Sequence, residues 1–357
     1  MFDGSNIVQR RTNHLEKYGN GEISPRIGTV ALKNPAILAP LSGITDAPFR
    51  RQVSALGAGL VVSEMTACAA LVRGKPEARL RLEAPGDATH VVQLAGCEAK
   101  WMAEGARIAT AAGADVIDIN MGCPARHVTN GYSGSALMRD LDHAQRLIEA
   151  TIGATSVPVT LKMRLGWDDK SHNAPELARR AETAGVAMVT IHGRTRCQFF
   201  TGKVEWAAVR PVTEAVKIPV VVNGDIESYD DADNALQQSG AAAVMIGRGA
   251  QGRPWLPGFI GKYLLTGKRS NEPPLAEQLR HLSELYDAML SHYGVRLGLR
   301  HARKHLSWSL NVASEFANVA PQILSDWRSK VLTAETPAAT LGHLNNAYEA
   351  FSWRSAA

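Results

Sequence analysis

Eight short runs of apolar and β-branched residues recur up to residue 249, and they constrain the fold of this chain more than any other feature. The runs are AILAP (36–40), LVVSEM (60–65), HVVQLAG (90–96), DVIDINMG (115–122), VPVTLKM (157–163), AMVTIHG (187–193), IPVVVNGD (218–225) and AAVMIGRG (242–249). Longer alanine-rich segments with a helical period separate several of them, at 97–113, 143–154, 173–185 and 230–240. Eight strands alternating with helices predict an α/β fold of the (β/α)8 TIM barrel type.

An open, doubly wound sheet is the rival arrangement for alternating strands and helices. Such a sheet would carry a GxGxxG turn after its first strand, and no such turn follows AILAP. Polar residues also end nearly every run, whereas an open sheet gathers its polar residues at one switch point. Both observations favour the closed barrel.

The alternation stops after Trp255, where PPL (273–275) interrupts the chain and a purely helical pattern follows. Apolar residues then recur at steps of three and four, as in helices that pack on one face. They are Leu275, Leu279, Leu282, Leu285 and Met289, and later Ile323, Leu324, Trp327 and Val331. We therefore expect a polar N-terminal extension (1–22), a barrel domain (23–265) and a C-terminal helical domain (274–357).

The composition of the 357 residues excludes several classes of protein. No stretch approaches the ~18 apolar residues of a membrane span and the N-terminus has no signal-peptide core, so a cytoplasmic protein without a membrane partner is expected. Cys68, Cys97, Cys123 and Cys197 form no CxxC pair, which argues against a metal site and a disulfide framework. A formal net charge of +5 permits an anionic partner such as nucleic acid without requiring one.

Polar residues follow the predicted strands at the end where barrels carry their active sites. They are Ser42, Glu64, Gln93, Asn120 with Cys123, Lys162 with Arg164, His192 with Arg194, Asn223 with Asp225, and Arg248. A lone glutamine or asparagine at a strand end is more often a structural hydrogen-bonding residue than a ligand contact, and a lone histidine is as often one as the other. Together these residues indicate one site. Glycines in VVNGD and MIGRG follow the last two strands, where barrels commonly bind phosphate.

Two of these residues have distinctive chemistry. Lys162 ends a buried strand, where an ammonium needs a partner, so it could form a Schiff base, contact a phosphate or lie against an electron-rich ring. Cys123 stands between Gly122 and Pro124 after the fourth strand, where a thiol can act as nucleophile or as proton donor. The residues themselves leave these alternatives open.

The barrel region contains, in this order, the segments INMGCP, GSALM, VTLKMRLGW, IHGRTRCQFFTG, VVNGDI and MIGRGAQGRPW. Together they closely resemble the tRNA-dihydrouridine synthase family, nearest to its bacterial B-type branch, and the resemblance covers residues 24–310. It implies an FMN-containing barrel that reduces the C5=C6 bond of particular uridines in tRNA. It also implies NADPH as the reductant, with NADH as an alternative, and a helical domain that helps to hold the tRNA.

The resemblance also implies roles for residues at matching positions. Cys123 would be the catalytic proton donor. The FMN contacts would be Ala39, Pro40, Leu41, Gln93, Lys162, His192, Asn223, Gly224, Asp225, Gly247 and Arg248. The glycines and serine after Cys123 are typical of a mobile loop that closes over a base.

A uridine must leave the folded tRNA to reach the barrel, and several residues are candidates to receive it or its RNA chain. We expect Asn120 and Arg164 to bind the uracil edge. The basic candidates for tRNA contact are Arg194 and Arg196, with Arg300 and Lys304 on a helix face that includes Arg296 and lies close to Arg303. Tyr132, Phe199 and Phe200 could stack on the base or simply pack within their loops.

Two other functions remain alternatives at this stage. An FMN-dependent oxidoreductase of small pyrimidines, similar to dihydroorotate dehydrogenase, would share the barrel and the cysteine. A barrel that binds tRNA without catalysis is the second. The basic helical domain argues against the first, and the combination of Gln93, Cys123 and Lys162 argues against the second. A monomer is expected.

Overall fold

The computed structural model describes residues 24–355. The predicted N-terminal extension, residues 1–22, lies outside the described residues. A short antiparallel hairpin comes first, formed by β1 (Arg26–Ile27) and β2 (Val30–Ala31). Its turn contains Gly28 with φ of 56°, a left-handed conformation that favours glycine. Within residues 24–355, no helix combines the length and the apolar character that crossing a membrane requires.

Nine parallel strands form the barrel sheet. They are β3 (Ala36–Leu38), β4 (Leu60–Val61), β5 (Thr66–Ala67), β6 (Val91–Ala95), β7 (Val116–Met121), β8 (Val159–Arg164), β9 (Met188–His192), β10 (Val220–Asn223) and β11 (Ala243–Ile246). The order β4-β3-β11-β10-β9-β8-β7-β6-β5 follows the chain around the ring, and a parallel bridge between Val62 and Val91 closes it. The predicted TIM barrel is confirmed.

The second barrel position is occupied by two short strands instead of one. β4 pairs with β3 on one side, and β5 pairs with β6 on the other. β5 lies just past the apolar run at 60–65, because the chain continues in the strand direction beyond the residues whose pattern marks a strand. Each of the other seven runs contains one strand, as the sequence predicts.

Helices connect the strands and cover the barrel. They are α1 (Ala47–Ala55), α2 (Cys68–Val72), α3 (Pro76–Leu80), α4 (Ala99–Ala111), α5 (Arg126–Thr129), α6 (Leu141–Ile152), α7 (Ala174–Ala184), α8 (Arg210–Ala215), α9 (Tyr229–Ser239) and α10 (Leu256–Thr266). Side-chain caps fix several starts, since Asp46, Asp140 and Ser228 each accept a hydrogen bond from the amide three residues on. Gly185 and Gly240 end α7 and α9 in the left-handed conformation.

One cluster in the barrel core joins side chains from the hairpin and from most strands. Among its members are Ile27, Ile37, Val91, Val221 and Met245, all buried. Burying such side chains contributes roughly 1.5–3 kcal/mol each. This apolar base leaves the opposite, C-terminal end of the strands to the polar residues.

The described chain divides into two compact units. The barrel unit comprises the residues up to Gly249 together with Trp255–Arg269, and the helical unit comprises Ala250–Pro254 and the residues from Ser270 onward. The helical unit contains α11 (Leu275–Tyr293), α12 (Val295–Phe316), α13 (Pro321–Thr333) and α14 (Pro337–Ser355). The short segment joins it because Gly252 lies against Trp308, where an added Cβ would meet the Trp308 carbonyl at 2.6 Å.

Candidate active site

A chain of buried hydrogen bonds links β8, β7 and β6 to the loop that carries Cys123. Thr160 Oγ1 donates to Asp118 Oδ1 at 2.6 Å, and Gln93 Nε2 donates to Asp118 Oδ2 at 2.7 Å. Asn120 Nδ2 then donates to Gln93 Oε1 at 2.8 Å, while Asn120 Oδ1 accepts the Cys123 amide at 3.0 Å. Because donors and acceptors alternate, the orientation of every amide in the chain is determined.

Asp118 and Thr160 are the members of this hydrogen-bonded series that the sequence prediction omitted. Burial raises the pKa of the Asp118 carboxyl, although hydrogen bonds from Thr160 and Gln93 and the charge of Lys162 act in the opposite direction. The available signal was an acidic residue inside the apolar run DVIDINMG, since a buried charge needs partners. Asp118 holds Gln93 and, through it, Asn120.

Cys123 is fixed by backbone contacts on both sides. Its amide is held by Asn120, and its carbonyl accepts Ser135 N at 3.1 Å and Ser135 Oγ at 2.8 Å. Gly134 has φ of 60°, and an added Cβ there would lie 2.8 Å from the Cys123 carbonyl oxygen. Gly134 and Ser135 are buried residues that anchor the cysteine, whereas Gly131 is exposed and Ser133 is half-buried. The mobile loop therefore stays a prediction for the segment before Gly134.

The environment of Cys123 keeps its thiol protonated. Burial raises the pKa of the thiol above its ordinary value of 9.0, and this outweighs the Ala125 amide and the charges of Arg164 and Lys162, which lower it. A thiolate nucleophile needs the opposite shift. Of the two roles that the sequence left open for Cys123, proton donation suits this environment.

Substitution of Gly134 by alanine is expected to disturb Cys123 directly. The new Cβ would require a left-handed backbone and would press on the Cys123 carbonyl, so we expect a loss of about 3 kcal/mol or more in unfolding free energy. Gly86→Ala is the matched control, because Gly86 has φ of 83° but nothing within 4 Å of an added Cβ. It should lose only about 1–2 kcal/mol. Equal losses in denaturant titrations would show that the contact with Cys123 has no effect.

Lys162 lies buried on β8 and reaches across β9 to β10. Its Nζ donates to Asn223 Oδ1 at 3.0 Å, and Asn223 Nδ2 donates to the Met245 carbonyl at 2.8 Å. Burial, together with the like charge of Arg164, lowers the pKa of Lys162 to about 8. A cation is thereby held at the barrel mouth with a neutral amide as its hydrogen-bond partner.

Arg164 is buried and joins the Cys123 loop to the loop after β9. Its Nε donates to the Gly122 carbonyl at 2.9 Å, and its Nη1 donates to the carbonyls of Thr195 and Phe199 at 2.8 and 2.7 Å. Burial lowers its pKa to about 10, so it stays charged at neutral pH. Within residues 24–355, its Nη2 donates no hydrogen bond and remains available to a ligand.

Arg194 occupies a structural position that differs from the one predicted. Its side chain is 1% exposed, and it donates to the carbonyls of Thr201 and Gly202 and to both carboxylate oxygens of Asp225. All N–H groups of its guanidinium donate to other residues of the protein. We therefore assign Arg194 a structural role instead of the predicted substrate contact. The sequence motif could not predict this structural role, because Arg194 and Asp225 are far apart along the chain and come into contact only in the folded barrel.

Arg194 contributes to the charge states of Asp225 and His192. Burial raises the pKa of the Asp225 carboxyl, but hydrogen bonds and charges from Arg194 and Arg248 outweigh this, and the pKa falls below its ordinary value. Burial and four nearby cations hold the pKa of His192 well below 6.5, so its imidazole is neutral. Phe200 lies 6.3 Å from His192, centroid to centroid.

The ends of β10 and β11 form a cluster of backbone amides, and the end of β3 adds backbone carbonyls. In the described chain, the amides of Gly224, Asp225, Gly247 and Arg248 donate to no other residue. Unpartnered amides after the seventh and eighth barrel positions suit an anion such as phosphate. On β3, the Ala39 amide donates to Ile246 and the Leu41 amide to Thr45 Oγ1, which leaves the Ala39 and Pro40 carbonyls for a ligand.

The remaining candidates on the barrel unit lie in several environments. Ser42 is exposed, whereas Glu64 is buried and accepts the Gly43 amide. Arg196 is half-buried, with its guanidinium 4.6 Å from the rings of both Trp167 and Phe199. Tyr132 and Phe200 are 68% and 52% exposed, so both are available to a base. Cys68 is fully buried, Cys97 is half-buried and Cys197 is exposed.

The helical unit presents basic residues on α12. Arg296, Arg300 and Arg303 are exposed and Lys304 is half-buried. His305 is buried, and burial lowers its pKa to about 3, so it adds no charge to this surface. The basic surface of α12 therefore consists of the four residues Arg296, Arg300, Arg303 and Lys304.

The chain is similar to one protein family model and to several named relatives. A family model described as dihydrouridine synthase matches residues 37–341. A protein named probable tRNA-dihydrouridine synthase from Rhizobium leguminosarum is 50% identical over 322 residues, covering 90% of this chain and 97% of its own. One of that name from Rhodobacter capsulatus is 51% identical over 333 residues, with 93% and 99% covered. The tRNA-dihydrouridine synthase B of Xanthomonas axonopodis is 44% identical over 326 residues, with 91% and 96% covered.

Proposed function

This chain belongs to the dihydrouridine synthase family, and from that premise we propose that it reduces the C5=C6 bond of specific uridines in tRNA, with FMN as cofactor and NADPH as reductant. The observation that carries the proposal is the position of Cys123, whose backbone is fixed by Asn120 and Ser135 and whose burial raises the pKa of the thiol. Such a thiol is suited to donate one proton to a carbon that has gained a hydride.

The residues present fit a flavin mononucleotide. The unpartnered amides of Gly224, Asp225, Gly247 and Arg248 would hold its phosphate. Lys162, Gln93, His192, Asn223 and the segment Ala39–Leu41 would contact its ring and chain, and the Lys162 ammonium would favour negative charge on the reduced ring. Bound FMN would supply hydride to C6 of the uracil.

Cys123 completes the reduction at the neighbouring carbon. After hydride reaches C6, negative charge is shared between C5 and the C4 carbonyl oxygen, and C5 takes the proton of the Cys123 thiol. The C5=C6 double bond becomes a single bond, and the thiolate regains a proton from water. Arg164, charged and close to Cys123, stabilises that transient thiolate and has Nη2 available for the uracil edge.

Asn120, predicted to contact the uracil edge, uses most of its hydrogen bonds to hold neighbouring residues. Its oxygen accepts the Gly122 and Cys123 amides, and its nitrogen donates to Gln93. It therefore positions the Cys123 loop. Its second amide hydrogen donates to Met65 Sδ, with Nδ2 at 3.9 Å, and a substrate oxygen would have to replace this weak sulfur acceptor.

The rate of uridine reduction should fall at alkaline pH. In single turnovers with flavin reduced beforehand, the first loss is expected near pH 8, where the Lys162 ammonium loses its proton, and the second above pH 9.0, where the Cys123 thiol ionises. No inflection is expected near pH 6.5, because His192 is already neutral there. A bell-shaped profile centred near neutrality would contradict both assignments.

The basic surface of α12 should contribute to tRNA binding. Arg300→Ala or Lys304→Ala is expected to weaken tRNA binding by about threefold to tenfold and to reduce the slope of log affinity against log salt by about one. Arg280→Ala is the matched control in the same unit, since Arg280 is paired with Glu277 and Glu284. Unchanged affinity and slope in both variants would remove α12 from the tRNA site.

The proposal as a whole is tested with purified protein, FMN, NADPH and unmodified tRNA transcript. Mass spectrometry of the digested tRNA should find uridines that have gained two hydrogen atoms. Reduction of free uracil or orotate, with tRNA left unchanged, would instead indicate the small-molecule alternative. Absence of bound flavin after purification and FMN titration would overturn the oxidoreductase assignment.

A further inference from the structure

A cavity of about 310 Å3 lies beside the segment that follows Cys123. It is lined by Thr129, Asn130, Tyr132, Arg139, Trp167 and Arg196. Two of these residues are arginines and none is acidic. The residue roles proposed above leave this cavity without a ligand.

The two arginines are held by aromatic rings without being neutralised. Arg139 and Arg196 lie over the Trp167 ring with their guanidinium carbons 4.3 and 4.6 Å from its centroid. Within residues 24–355, Arg139 makes no hydrogen bond or ion pair, and the buried Nε of Arg196 has no partner. Arg196 Nη2 donates to Thr129 Oγ1 at 3.4 Å, a neutral partner. Ring contacts and a hydroxyl orient a guanidinium but supply no counter-charge, so both arginines keep a positive charge that can bind an anion.

The character and size of the cavity indicate a phosphate carried by a nucleotide. Guanidinium groups match the oxygen pairs of a phosphate, and Thr129 and Asn130 add neutral hydrogen-bonding groups. A volume of this size accommodates a phosphate with part of its sugar. Tyr132, 68% exposed on the lining, offers a ring to an adjacent base.

A rigid connection ties this cavity to Cys123. Ser135, which holds the Cys123 carbonyl, belongs to the short 3-10 helix Gly134–Arg139 that ends at the first arginine. A phosphate bound by Arg139 would therefore be attached to the same short helix that holds the Cys123 carbonyl. Because Cys123 acts on the uracil and not on the reductant, a phosphate site on this helix would position the RNA substrate.

We propose that this cavity binds a backbone phosphate of the RNA substrate, next to the uridine presented to Cys123. The inference rests on the proposed function, and it assigns Arg139 and Arg196 to the same phosphate site. Arg196 was predicted as a tRNA contact, whereas Arg139 and Trp167 carried no predicted role.

The test compares the holoenzyme with Arg139→Gln, Arg139→Lys and the control Arg107→Gln, which removes an exposed arginine from α4. Arg139→Gln should raise the Kd for tRNA about tenfold and reduce the salt slope by about one, and Arg139→Lys should retain the slope. Arg107→Gln should match wild type. Reduction of bound flavin by NADPH without tRNA is measured in parallel.

Two results would overturn the proposal. One is an unchanged Kd and salt slope for Arg139→Gln. The other is a raised KM for NADPH with tRNA binding intact, which would assign the phosphate to the reductant. If Arg139→Gln weakens tRNA binding while wild type forms no dihydrouridine, the phosphate site stands and the proposed function fails.

Discussion

Cys123→Ala is expected to lower the rate of dihydrouridine formation by about 10²- to 10⁴-fold, the usual contribution of a positioned general acid. FMN should remain bound, because the thiol is assigned to proton transfer. The backbone amides that would hold the FMN phosphate lie at the ends of β10 and β11. The measurement is a single turnover of tRNA on enzyme reduced beforehand, followed by flavin absorbance and by mass spectrometry of the RNA.

Cys197→Ala provides the matched control, because it makes the same chemical change at an exposed thiol. It should turn over like wild type. Cys123→Ala should also accept electrons from NADPH at an unchanged rate, which separates the loss from a general defect. Comparable uridine reduction by Cys123→Ala and wild type under limiting enzyme would remove the thiol from the mechanism.

Lys162→Met is expected to abolish tight FMN binding while making the flavin-free protein more stable. The pKa of Lys162 falls from 10.5 to about 8, which corresponds to a cost of roughly 3 kcal/mol in the folded state at neutral pH. Methionine removes that cost but leaves Asn223 Oδ1 without its donor, which costs about 1–3 kcal/mol. A net gain of about 1 kcal/mol in unfolding free energy should appear in denaturant titrations.

The pH dependence of this effect has a definite sign. Below pH 8 both folded and unfolded chains carry the charged ammonium, so the cost is fully present. Between about 8 and 10.5 the unfolded chain binds the extra proton, and the stability of wild type rises with pH toward that of the variant. Lys170→Met, at an exposed position, should show neither change. A less stable Lys162→Met that still binds FMN tightly would contradict the account.

The barrel was predictable because each strand carries its own signal. Each of the eight runs contains a single strand, and the helices at 97–113, 143–154, 173–185 and 230–240 appear within a few residues. The divided second strand was missed, since β5 consists of Thr66 and Ala67, which have no apolar pattern. The helical unit also includes Ala250–Pro254, because Gly252 packs against Trp308. The local sequence gives no signal for this contact.

The site was predictable at the level of which residues gather, but less so at the level of what each touches. Reading the polar residue after each strand brought Gln93, Asn120, Lys162 and Asn223 together, and the structure joins them in hydrogen-bonded pairs. Arg194 was misassigned because an arginine near a substrate site and an arginine that supports it look alike in sequence. Its burial against Asp225 is a property of the closed barrel.

The most direct test of the central claim is the dihydrouridine content of tRNA from a strain that lacks this protein. Sequencing or mass spectrometry should find uridine in place of dihydrouridine at one or a few defined positions, and wild-type protein should restore the modification while Cys123→Ala should not. A tRNA pool with every dihydrouridine intact, in a strain without another enzyme of the family, would contradict the account.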